Sequence, residues 1–196
     1  IGATHVIVAL ADLRGRVIAE THTAVDVVSG ADQTLTQVCE QVRETVAQGK
    51  AAWDTIHAIG VGVPGPVITT EGQVSTPPLM PGWDGFPIRD YLVEQWGTLV
   101  TLDNDADLGA LGEWAYGAGQ QVPSLTYIKI GTGIGCGILI DGRIYHGVQG
   151  TAGEIGHMTI SADGPPCTCG NYGCLEAMAG GRAIAERAQL AVKAGQ

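Results

Sequence analysis

His157, Cys167, Cys169 and Cys174 place one imidazole and three thiols within eighteen residues of a 196-residue chain. Three sulfurs and one nitrogen fill the tetrahedral shell of a structural zinc and leave no open position for a reacting water. Such a site staples a loop and hydrolyses nothing. Glu154, in Gly153-Glu154-Ile155-Gly156-His157, and Glu176, two residues after Cys174, bracket the donors. A Cys3His cage needs neither acid, yet the staple would hold both in place as polar groups for a ligand.

Asp105 is the strongest acid-base candidate. A carboxylate at the start of a helix is stabilised as the anion by the N–H groups there, and within reach of a hydroxyl it can take that proton as the oxygen attacks an electrophile. Its alternative role is an N-cap. Asn104 beside it offers donor and acceptor atoms, and Asp103 and Asp107 add charge to the same turn. Gly131-Thr132-Gly133-Ile134-Gly135 can turn successive N–H groups inward as an anion nest; a plain hairpin turn is the alternative. Ile1-Gly2-Ala3-Thr4-His5 is a second short glycine and threonine loop.

The elements that must position these groups follow from periodicity. Val6 to Leu10 and Arg16 to Ala19, separated by Gly15, predict a hairpin. Leu35, Val38, Val42 and Val46 share one face of a helix over 34–46, with Asp32 as its cap. A strand over 56–63 stops at Pro64-Gly65-Pro66, leaving backbone at the carboxyl edge of a sheet, where α/β proteins bind ligands. The stiff loop 77–87, with four prolines and Trp83, reads as a lid or pocket wall. A strand over 99–102 and a helix over 105–116 place Asn104 and Asp105 at their junction. Strands over 125–130 and 136–140 flank the glycine loop, Asp141-Gly142 turns the second into Ile144 and Tyr145, and Gly180-Gly181 divides the helical material after Cys174. The strand-turn-strand patterns at 6–19 and 136–145 suggest a distant duplication.

A formal charge of −10 and the lack of any long Lys/Arg cluster argue against a nucleic-acid surface on this chain. Three of the five cysteines are packed together, as metal ligands are and a disulfide framework is not; Cys39 and Cys136 read as small buried hydrophobes. With no cleavable signal and no apolar run near ~18 residues, the expected location is the cytoplasm, without a membrane partner.

Taken together, Gly62-Val63-Pro64-Gly65-Pro66, Asp103-Asn104-Asp105-Ala106, the glycine loop, Gly153 to His157 and the Cys-x-Cys-Gly-x-x-Gly-Cys-x-Glu cluster closely resemble the ROK family of bacterial sugar kinases and sugar-responsive repressors. The resemblance implies an α/β, actin-like and ribonuclease-H-like fold in two lobes with mixed sheets and a zinc-stapled loop. Residues 1–102 would form the first lobe and 103–196 the start of the second, with the C-terminal part of the fold lying beyond Gln196. It implies zinc on His157, Cys167, Cys169 and Cys174, and a monosaccharide pocket using Gly65, Asn104, Asp105, Glu154, His157 and Glu176.

In a kinase of this family Asp105 would deprotonate the attacking sugar hydroxyl, with ATP and magnesium held by phosphate loops at Gly2, Thr4, Gly131, Thr132, Gly133 and Gly135. Where the kinase pattern reads Asp-x-Gly-Gly-Thr-Lys, however, this chain has Gly2-Ala3-Thr4-His5 and no lysine. Pro77-Pro78-Leu79-Met80-Pro81-Gly82-Trp83 also looks more like the repressor branch. The expectation is a sugar-sensing effector domain of a regulator that reaches DNA through an N-terminal helix-turn-helix absent from this sequence and assembles as a homo-oligomer. An ATP-dependent hexose kinase is the alternative, and a stapled domain for protein contacts alone a third reading.

Overall fold

The β-branched run at the amino end folds into β1 (His5–Ala11) and β2 (Val17–Ala24), an antiparallel pair with a register shift between Leu10 and Ala11. The Asp12 carboxylate accepts the main-chain N–H groups of Arg14 and Arg16, both at 3.0 Å, and Gly15 takes φ 76°. The Arg16 N–H, foremost among its neighbours, holds the Asp12 carboxyl below its ordinary value. This computed structural model describes residues 1–195, which divide into two compact units, Ile1–Asp105 and Ala106–Gln196.

In the first unit α1 (Ala31–Gln48) lays Leu35, Val38, Val42 and Val46, all buried, against β1 and β2, as the heptad-like spacing predicts. Asp32 does not cap it. The N-cap position is Gly30 at φ 101°, a left-handed backbone that favours glycine, and Asp32 lies inside the first turn. The acid that caps is Asp26, whose side chain accepts the Val28 N–H of the preceding 3-10 turn.

β3 (Ala58–Val63) leads through the short hairpin of β4 (Val67–Ile68) and β5 (Gln73–Val74) into α2 (Ile88–Trp96), which ends at Gly97 with φ 65°. The chain then returns as β6 (Leu99–Asn104), parallel to β3. This is a strand-crossover-strand unit, and parallel pairing requires such a crossover. The loop over 77–87, expected as a lid or pocket wall, is anchored in the core and so is not a free lid. Trp83 and Met80 are fully buried, and the indole N–H of Trp83 donates to the Val27 carbonyl at 2.9 Å. A buried indole needs an acceptor for its one donor, and that bond ties the loop down.

In the second unit α3 (Asp105–Tyr116), which begins at the boundary residue, packs on a three-stranded antiparallel sheet of β7 (Leu125–Ile130), β8 (Ile134–Ile140) and β9 (Arg143–Ile144). Gly137 permits the approach, since a Cβ there would run into the Ala106 carbonyl. Asp141 and Gly142, with φ 49° and 73°, make the tight β8–β9 turn. Gly180 separates α4 (Leu175–Ala179) from α5 (Gly181–Lys193), as the glycine pair predicts. Cys39 and Cys136 are buried, and burial pushes both thiols above their ordinary value. Among the described residues no helix is long and apolar enough to cross a membrane.

Candidate metal and ligand site

The four donors predicted for zinc come together in the second unit. Nδ1 of His157 lies 3.6 Å from Sγ of Cys167, Sγ of Cys169 lies 3.7 Å from Sγ of Cys174, and all four atoms are within 4.8 Å of one another. A tetrahedral zinc with ordinary bond lengths would separate its sulfurs by about 3.8 Å and sulfur from nitrogen by about 3.6 Å. The residues fit the ion.

Local structure explains the convergence. The Cys167 N–H donates to the Asn171 carbonyl at 2.8 Å, and Gly170, at φ 91°, donates to the Cys167 carbonyl at 3.0 Å, so residues 167–171 form a tight turn carrying two of the thiols. A bridge between Thr159 and Cys174 sets the third thiol beside the histidine segment. Electrostatics also ask for a cation. Burial, followed by the neighbouring Cys169 and Cys167 thiols, pushes the Cys174 thiol up to about 12. For Cys169 burial acts upward, but the Asn171 N–H and the adjoining thiols outweigh it and bring the thiol below its ordinary value. A divalent ion removes the conflict by deprotonating its thiol ligands.

The spacing of Gly153-Glu154-Ile155-Gly156-His157 has a packing origin that the motif alone does not disclose. A Cβ on Gly153 would collide with the Cys136 carbonyl, and one on Gly156 with the Ile134 carbonyl. Cys136 and Ile134 are two apart on β8, so their carbonyls point to the same edge of the strand. The two glycines lay the 3-10 turn of Ile155–His157 along β8. With Nδ1 turned toward the thiols, Nε2 of His157 lies 3.7 Å from a Glu154 carboxylate oxygen, and both side chains are partly exposed. His157 therefore has one nitrogen for the metal and the other for a polar surface with Glu154, as metal-bound histidines use their second nitrogen.

Glu176 is placed differently from expectation. It is buried, and Oε2 accepts the Ile134 N–H at 2.9 Å, so one carboxylate oxygen holds the glycine loop. That loop is not a nest. None of Gly131, Gly133 and Gly135 has positive φ, the Gly131 N–H turns back to the Gly133 carbonyl at 2.9 Å, and the Ile134 N–H is taken by Glu176. Nests need alternating backbone handedness. Gly133 is required for closeness, since its Cβ would meet the Glu176 carboxylate. The Gly131 and Thr132 carbonyls accept the N–H groups of Gly181 and Arg182 at the start of α5, at 2.9 and 3.1 Å.

In the first unit the β3–β6 register sets Val63 opposite Asn104, and the Asn104 amide donates to the Gly65 carbonyl at 2.9 Å. Gly65, at φ 93°, sits where a Cβ would press on Pro77. The Asp103 carboxylate accepts the Asn104 N–H at 2.8 Å, and Asp105 is the first residue of α3. Near the amino end, Gly2 N–H donates to the His5 carbonyl at 2.7 Å and the Thr4 hydroxyl lies 3.3 Å from His5 Nδ1. In the second unit Asp107, buried, has a carboxylate oxygen 3.9 Å from His146 Nε2. That pairing was not anticipated, although an acid within an Ala/Leu/Gly helix face signals a partner.

The ROK family model matches residues 1–194, and the chain belongs to the ROK family. Its fold is accordingly the actin-like, ribonuclease-H-like α/β fold expected from the motifs. The chain is 33% identical over 195 residues to a xylose repressor of Caldicellulosiruptor bescii, covering all of this chain and 49% of the repressor. It is 34% identical over 186 residues to a glucokinase of Halalkalibacterium halodurans, covering 94% of this chain and 56% of the kinase. A ROK family glucokinase from Streptomyces griseus, solved in complex with glucose and AMPPNP, matches 99% of this chain and 60% of its own at TM-score 0.89 and 31% identity. The chain spans about half the length of the curated relatives it matches.

Proposed function

We propose that the chain is the sugar-sensing effector part of a ROK-type transcriptional regulator, binding a monosaccharide or its derivative beside a structural zinc. In the second unit Glu154, His157 and Glu176 are its sugar ligands. His157, Cys167, Cys169 and Cys174 hold the metal, which supplies rigidity and no chemistry of its own because the shell is closed. Carboxylates and an imidazole recognise a sugar by accepting and donating hydrogen bonds to neighbouring hydroxyls, and charge-assisted bonds of this kind are the strong ones. The observation that carries the reading of the site is the dual placement of His157, one nitrogen on the thiol set and the other beside Glu154.

One feature favours a regulator over a kinase: the amino-terminal loop has His5 and no lysine before Arg14, so it offers no fixed cation to a phosphate. The similarity to a xylose repressor along the whole chain agrees with this. Sugar would act by binding one conformation of the whole protein more tightly than another, with DNA engaged through a helix-turn-helix outside this sequence, in a cytoplasmic homo-oligomer.

An ATP-dependent hexose kinase is the second reading, favoured by Asp105 at the helix start and by the similarity to a glucokinase. There Asp105 is the general base, and magnesium-bound ATP is the phosphoryl donor. Calorimetry with a panel of aldoses, followed by a coupled assay with ATP and magnesium on the full-length protein, tests both. Saturable sugar binding without turnover supports the regulator; rapid formation of sugar phosphate reverses the order; no sugar binding at all removes both readings.

A further inference from the structure

Asp107 is an acid inside a helix rich in alanine, leucine and glycine, and it is buried. Burying a carboxylate is costly unless something answers its charge. Two observations in the second unit show where that charge is directed: burial foremost, and then the Asp107 charge, push up the Cys136 thiol of β8, and a carboxylate oxygen of Asp107 lies 3.9 Å from His146 Nε2. The acid looks toward the sheet and the loop that leaves it.

Sheet register brings the imidazole there. The Tyr145 N–H donates to the Ile138 carbonyl at 2.8 Å, which carries the β8–β9 pairing past Ile144 and sets His146 level with Gly137. Gly137 is where α3 crosses, since a Cβ there would strike the Ala106 carbonyl and the Ala110 side chain. From His146 the chain makes a loop whose ends meet: the Ala152 N–H donates back to the His146 carbonyl at 3.1 Å, and a Cβ on Gly147, at φ 71°, would come 3.2 Å from the Ala152 methyl. His146 is the neck of this loop. Just beyond it the Thr151 carbonyl accepts the Glu154 N–H at 3.3 Å, and Gly153 is seated against the Cys136 carbonyl. The main chain that aims Glu154 thus starts at the residue whose ring faces Asp107.

We propose that His146 is a positioning residue: with the buried Asp107 it pins the neck of the 146–152 loop to α3, and so sets the Glu154 carboxylate where it meets a sugar hydroxyl. The proposal rests on the sugar-binding reading of that acid. Zinc on His157 steadies the same segment from its far end, and the neck steadies it from the near one. Placement of this kind governs affinity because a hydrogen bond weakens steeply as its distance and angle drift.

The test uses the full-length, zinc-loaded protein carrying His146→Gln or Asp107→Asn, each alone and combined with Glu154→Gln. Hydrogen exchange without sugar comes first. The Ala152 and Glu154 amides are expected to exchange at least tenfold faster in both single variants, while the β7 and β8 amides keep the parent rate. Unchanged loop exchange overturns the proposal, and so does faster exchange throughout the second unit, which marks a pair that only stabilises the fold. Calorimetry with D-glucose and D-xylose follows. Each single variant is expected to lose at least tenfold in affinity, and neither to add to the loss that Glu154→Gln causes alone, the pattern of residues acting through one contact. Equal losses with and without the Glu154 carboxylate overturn the proposal, because His146 would then act elsewhere. A parent protein that binds neither sugar sinks the sugar-binding reading and with it the pair's role in affinity, while the exchange of Ala152 and Glu154 still decides whether the pair holds the neck.

Discussion

The Glu176 carboxylate and the Ile134 main-chain N–H are joined at 2.9 Å, two residues beyond Cys174 in the proposed metal set. The link ties the thiol segment to the head of β8. An acid expected to serve a ligand is therefore also a structural acceptor, and the two roles separate by experiment.

Glu176→Ala leaves the Ile134 N–H buried without an acceptor, which costs about 1 to 3 kcal/mol. Glu176→Gln keeps a side-chain oxygen in that position. The alanine variant is expected to lose stability in urea denaturation and the glutamine variant to stay near the parent. Weakened sugar binding in the glutamine variant would assign the carboxylate's charge to the ligand.

Glu154→Gln is expected to weaken sugar affinity by about 1.5 to 3 kcal/mol, the range for hydrogen bonds to charged groups, and the unfolding midpoint is measured beside it. Calorimetry and denaturation on one preparation separate the two. Unaltered affinity would remove Glu154 from the pocket.

Thiol labelling reads out the metal set. In the zinc-loaded protein at pH 8 no cysteine is expected to react quickly with an aromatic disulfide. After chelation Cys169, the partly exposed thiol that lies below its ordinary value, becomes reactive, while Cys39 and Cys136 wait for unfolding. Burial raises the pKa of Cys39 and Cys136 in the folded chain above their ordinary value of 9.0. Their contribution to stability is complete below that value and declines as pH rises through the higher folded one. Chelated protein should therefore grow less stable as the solution is made alkaline above this point. Cys167→Ser should purify with less than stoichiometric zinc by elemental analysis, because a structural site's binding energy is folding energy.

Trp83→Phe removes the indole donor and strands the Val27 carbonyl, with an expected cost of about 1 to 3 kcal/mol. Trp83→Ala should cost about 3 to 5 kcal/mol through the cavity it opens. A lid residue would instead alter sugar affinity while leaving the urea midpoint in place, so the pair of measurements decides between the two roles.

How much of this was legible in the sequence depended on whether the signal was local. The β1–β2 hairpin, the apolar face of α1 and the bounds of α3 and β7 follow from periodicity and glycine positions, and these agree with the structure. The convergence of His157, Cys167, Cys169 and Cys174 was readable because donor type and spacing are both restrictive. Asp32 was misread because the true start of α1 is set by Gly30 at a left-handed φ, which no propensity of aspartate discloses. For the 77–87 loop, prolines announce stiffness without choosing between lid and wall; the acceptor that anchors Trp83 is Val27, far away in sequence. The Gly131–Gly135 loop resembled a nest since glycine serves handedness and closeness alike, and here it serves closeness to Glu176.

Gly153 and Gly156 rest on alternate carbonyls along one edge of β8, so the interval between them is copied from the repeat of a strand. A segment ruled off in this way can exchange its side chains but cannot gain or lose a residue without stepping out of register with the strand beside it. Diversification of ligand preference in such a protein would then proceed by swapping what Glu154 and its neighbours carry, or by altering other loops, and not by changing this one's length.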